Sequence, residues 1–172
     1  MLGLVLLGLW LRTYAEARVF EARGSRELEA ARAGTSAPAS NEVLGRIEIP
    51  RLKISALISQ GTASRQLDRA IGHVASSALP GEPGNCALAG HRDSFLRGIG
   101  AVRQDDLIRI ETRERSYLYR VVWGSVMKPD RVDVLRPTAE SSLTLVTCYP
   151  FHMIGPAPER FVVRARLIES ID

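Results

Sequence analysis

Three side chains have types and spacings suited to nucleophilic catalysis by a thiol: Cys148, His91 and Arg160. Cys148 ends the alternating run Ser142 to Cys148, so a thiol stands where a strand stops. A strand end fixes the sulfur, the loop beyond it admits a substrate, and a thiolate is a strong nucleophile. Along this run Leu143, Leu145 and Thr147 share one face, and Thr144, Val146 and Cys148 share the other. In a later run Phe161, Val163, Ala165 and Leu167 make an apolar face, with Arg160, Arg164 and Arg166 opposite. If the two runs are antiparallel neighbours, residues 149–159 connect them and Arg160 begins roughly 5 Å from where Cys148 ends. A thiol and a guanidinium then share an outer groove.

A nucleophilic thiol needs a proton partner, and the chain has three histidines. His91 closes the short apolar strand 85–91, on a face with Ala87 and Ala89 and opposite Cys86 and Leu88. Gly90 before it allows another chain to approach closely. His91 is therefore the expected catalytic imidazole, whereas His73 and His152 read as structural. Cys86 has the strand parity of a core thiol and points away from Cys148, so no disulfide between them is expected. The working pair is thiolate with imidazolium. With ordinary values of about 8.5 and about 6.5, both hold in only about 1% of molecules near pH 7.5 if the groups are independent. A guanidinium beside the pair would favour the thiolate and oppose the imidazolium, so the balance is left to a pH profile.

The elements that must position these groups are short strands. The 172 residues include 14 glycines and 9 prolines, concentrated in the last three-quarters. Apolar stretches at 44–49, 52–58, 86–90, 106–112, 116–126, 142–148 and 160–168 read as strands, with a short helix over 66–72 and a loop over 80–85. No long amphipathic helix separates them, which argues for an antiparallel barrel or sandwich. The net charge of +4 is spread among alternating acidic and basic residues, so nucleic acid is not an expected partner. Two cysteines without zinc-like spacing make a metal unexpected.

Residues 1–11 are almost wholly apolar, but as a helix they reach only about half of a hydrocarbon core roughly 30 Å thick. They read as the later part of a transmembrane anchor. The alternative is a short apolar helix packed on the domain or on another subunit. Residues 12–41 read as a charged helical stalk with a soft break at Gly24-Ser25, followed by a flexible linker, and residues 42–172 as the globular domain.

Thr144-Leu-Val-Thr-Cys148 resembles the TLxTC signature of sortases, the cysteine transpeptidases that attach proteins to bacterial surfaces. Gly90-His91-Arg92 and the run Glu159 to Val163 match that family in order and spacing, and Thr147 to Phe151 is similar to its class D branch. The resemblance spans residues 42–169 and implies an eight-stranded β-barrel with short helices, preceded by an N-terminal helical or membrane segment. It implies His91, Cys148 and Arg160 as catalytic residues, and neither a metal nor another cofactor. The implied reaction cleaves an LPxTG-like sorting signal between threonine and glycine through a thioester. The acyl group then passes to an amine on a cell-wall peptide or a pilin lysine. Thr147, Tyr149 and Arg92, with the loop 149–158, are expected to bind substrate, and the segment 92–96 to wall the site. The domain is expected outside the cytoplasmic membrane behind its anchor. The alternatives are a cysteine peptidase that only hydrolyses such peptides and a non-catalytic interaction barrel.

Overall fold

The computed structural model describes residues 2–33, 43–153 and 155–171. One helix, α1 (Leu2–Arg32), precedes eight strands: β1 (Val43–Ile49), β2 (Ile54–Gln60), β3 (Ile71–His73), β4 (Asn85–Gly90), β5 (Leu107–Thr112), β6 (Ser116–Met127), β7 (Ser142–Tyr149) and β8 (Glu159–Ile171). A single helical turn, α2 (Ser64–Leu67), lies between β2 and β3. The strands close into a barrel in the order β1-β2-β3-β4-β7-β8-β6-β5. This is the eight-stranded architecture that the resemblance implies.

The strand parity read from the sequence is what the fold uses. Leu143 and Leu145 of β7, Val163 and Ala165 of β8, and Cys86 and Leu88 of β4 are buried in one core with Ile47, Ile58, Ile110 and Tyr119. Their alternates face outward or lie beneath connections. Each fully buried Leu or Ile side chain contributes about 1.5–3 kcal/mol, so slipping one strand by a residue would forfeit several such terms.

Two expectations need correction. The barrel is mixed: β2–β3 and β4–β7 pair in parallel, and the remaining neighbours are antiparallel. Parallel pairing requires a crossover connection, and the stretch 61–70 with α2 and the excursion through β5 and β6 supply one each. The helix expected over 66–72 is also shorter and earlier. Ile71–His73 is a strand instead, with Gly72 opposite Ala89 and His73 opposite Leu88. Three residues are too few to leave a readable period.

The helix α1 runs unbroken through Gly24 and lies against β1 and β2. A Cβ at Gly24 would collide with Leu57, so glycine here permits close approach of helix to barrel. Leu28 is buried beside this contact. Arg46 Nη2 donates to Glu21 Oε1 at 2.9 Å and to Ser25 Oγ at 2.6 Å, and Ser25 Oγ donates to the Glu21 carbonyl. The expected break is thus the docking point. No helix of the described residues is long and apolar enough to cross a membrane. The expected linker over 34–40 and the domain start at Glu42 lie outside the described residues.

Candidate active site

β7 sits between β4 and β8, and two registers bring the expected residues together. The antiparallel β7–β8 ladder pairs Cys148 directly with Arg160. The parallel β4–β7 ladder ends with Gly90 beside Thr147, so His91, the next residue, flanks Cys148 from the other side. All three have the outward parity of their strands. Neighbouring strands lie about 4.8 Å apart, so an imidazole, a thiol and a guanidinium occupy one row across the barrel's outer face.

Each group has a distinct setting. Cys148 is a free, half-buried thiol. His91 is half-exposed, with its Nε2 3.5 Å from Oδ1 of Asp68, just past α2. Sequence reading missed Asp68, because the approach of α2 to the end of β4 leaves no local pattern. Arg160 Nη1 donates to the carbonyls of Ala157 (3.1 Å) and Glu159 (2.8 Å). That anchoring orients the guanidinium, and no carboxylate pairs with it among the described residues.

The other cysteine and histidines are placed elsewhere. Cys86 is buried in the core, and burial pushes its thiol up to about 12. His73 is buried in β3, with Nδ1 near Gln60 Oε1 and Nε2 near the Ala78 carbonyl and Ser77 Oγ. His152 is exposed on the β7–β8 loop.

The expected substrate-binding residues fall into three settings. Thr147 is buried in the barrel, and its hydroxyl has no hydrogen-bond partner among the described residues. Tyr149 stands edge-on to Phe151, with ring centres 5.4 Å apart, and both line a cleft of about 510 Å³ with Arg97, Val126, His152 and Phe161. Arg92 donates from Nη1 to the Pro150 carbonyl (3.1 Å) and from Nη2 to the Gly155 carbonyl (2.7 Å).

Before Cys148 the outer face is covered. Asn85 donates from Nδ2 to the carbonyls of Val134 (3.0 Å) and Arg136 (3.2 Å) and accepts from Thr144 Oγ1 (2.6 Å). Arg164 donates to Ser142 Oγ (3.0 Å) and the Val134 carbonyl (2.6 Å), and burial lowers its pKa. These bonds pin the β6–β7 connection to the sheet. No local pattern in the sequence marks this network, because its partners are far apart in the chain. Asn85→Ala leaves the buried Thr144 hydroxyl without its acceptor and removes a donor from the Val134 and Arg136 carbonyls, so a loss of about 1–3 kcal/mol is expected. Chemical denaturation measures it, and a loss below about 0.5 kcal/mol would show that the network carries little stability.

An outward thiol between an imidazole and a guanidinium, on a closed mixed barrel, has the parts of a cysteine-dependent acyl transferase. The Sortase domain family model matches residues 47–168. Sortase D of Bacillus subtilis (strain 168) is 30% identical over 132 residues, covering 76% of this chain and 67% of that protein. Sortase A of Bacillus anthracis is 28% identical over 131 residues, covering 74% of this chain and 60% of that protein. Among solved structures, a Clostridium perfringens Sortase D5 transpeptidase superposes with a TM-score of 0.73 at 25% identity, covering 88% of this chain and 98% of that one. Sortase E1 of Streptomyces coelicolor, solved with a tripeptide in its active site, gives 0.69 at 28% identity, covering 78% and 93%. The chain belongs to the sortase family, and class D members are among its relatives. Sortase family members are cysteine transpeptidases.

Proposed function

We propose that this chain is a transpeptidase that cleaves an LPxTG-like sorting signal between threonine and glycine and transfers the acyl group to an amine. The thiolate of Cys148 attacks the threonine carbonyl, and the carbon–nitrogen bond then breaks to leave a thioester. His91, as imidazolium, gives its proton to the departing glycine amine. Arg160 binds the substrate backbone and the developing oxyanion with the donors not used on its own loop. An acceptor amine, on a cell-wall peptide or a pilin lysine, attacks the thioester while His91 takes its proton and the thiolate leaves. The observation that best supports this reading is the pair of registers that flank Cys148 with His91 and Arg160.

Tyr149, next to the nucleophile in sequence, lines a cleft with Phe151 and Phe161 and is the proposed contact for peptide side chains. Thr147, turned into the barrel, contributes through its backbone. The N-terminal segment 1–11 is proposed to belong to an anchor that holds the domain outside the cytoplasmic membrane. The test incubates the enzyme with a fluorogenic LPxTG-like peptide, with and without triglycine. A thioester of the peptide's acyl part should appear by intact mass, and triglycine should raise turnover and yield a ligated product. Unchanged turnover with hydrolysed product alone would favour a peptidase instead.

A further inference from the structure

We propose that Arg92 is a positioning residue for peptide recognition, a strut that holds the loop after Cys148 as a preformed wall for the acyl donor. The proposal deepens the transpeptidase reading and, in its substrate half, rests on it. It starts from the two bonds Arg92 makes across 58 and 63 residues of chain. The two Nη donors of one planar guanidinium reach two carbonyls five residues apart, so a single side chain from the end of β4 fixes both sides of the turn.

Other contacts complete the frame. Phe151 packs against Gly100, where a Cβ would collide with its ring, and stands edge-on to Phe161 at 5.5 Å. Arg160 bonds the Ala157 and Glu159 carbonyls at the loop's far end. The loop is thus held by an arginine near each end, Arg92 from just past β4 and Arg160 from the start of β8. His152 and Met153, between the carbonyls that Arg92 holds, are exposed. A peptide approaching Cys148 passes this fixed segment, so holding it in place lowers the ordering cost that the peptide would otherwise bear. Lysine carries a single ammonium and can replace only part of the two-carbonyl hold.

The experiment compares the full chain with Arg92→Ala and Arg92→Lys. It measures amide exchange of the free enzyme over 150–158, KM and kcat with the peptide, the rate of Cys148 alkylation, and thermal unfolding. In Arg92→Ala, exchange should rise about ten-fold in that segment alone, as expected for losing charge-assisted hydrogen bonds. KM should rise about ten-fold, while kcat and alkylation stay within about two-fold, as for uniform binding. Arg92→Lys should fall between the two. Unchanged exchange with a raised KM would overturn the strut and make Arg92 a direct peptide contact. Faster exchange with unchanged KM would overturn the wall, and a fall in kcat alone would place Arg92 in the chemistry. If the alanine variant fails to fold, the lysine variant carries the same comparison. If the wild type forms no thioester, the functional reading and the substrate half of the proposal fail together, and exchange still decides the strut.

Discussion

Cys148→Ala should yield a folded barrel that forms no thioester, with peptide cleavage lower by on the order of 10⁴-fold or more, because the covalent route is gone. The residue sits at a strand end, half-buried and outside the core, so stability should change by no more than about 1 kcal/mol. The two thiols make the experiment specific. Burial pushes Cys86 up to about 12, leaving about one part in ten thousand as thiolate at pH 8. The native wild type should therefore take up one equivalent of iodoacetamide, and the alanine variant none until it is unfolded. Intact mass after peptide incubation and thermal melting check both halves. Retained thioester on the variant would move the nucleophile to Cys86, against its burial in the core.

His91→Gln should lower kcat for the amine-leaving substrate by about 10²- to 10⁴-fold, the range for losing a positioned general acid. Glutamine keeps polarity and approximate size, so a fall of this size reports lost proton transfer more than lost packing. Single-turnover kinetics should place the defect in thioester formation. An activated ester carrying the same acyl group, whose leaving group needs no proton, should recover most of the acylation rate. The pH–rate profile should also lose the limb that belongs to the imidazole. An unchanged profile with unchanged kcat would remove His91 from the mechanism. Exposed His152, on the loop beside the cleft, would be the next histidine to test.

Much of this site was legible because β-strand side chains alternate with a period of two. In 142–148 and 160–168 that period separates core from groove, and the same count assigned Cys86 inward and His91 outward. The motifs around His91, Cys148 and Arg160 added the family and its fold. Three features left no such pattern. The three-residue β3 is shorter than any reliable period, so its place in the parallel β2–β3 pair was invisible. Gly24-Ser25 looked like a break because local propensity penalises glycine in a helix, while the close approach to Leu57 that favours it lies 33 residues away. The hold of Asn85 on Val134 and Arg136, like that of Arg92 on Pro150 and Gly155, depends on how connections fold back over the sheet.

By itself the sequence determined which side of β4, β7 and β8 faces the core, because burying apolar side chains admits only one parity. It therefore also determined that a thiol, an imidazole and a guanidinium all face outward. Only the tertiary structure decided that they meet in one row. That outcome needs β4 and β8 to flank β7 at matching heights, and strand order and register follow from closing the whole barrel, with a parallel crossover on one side of β7 and an antiparallel return on the other.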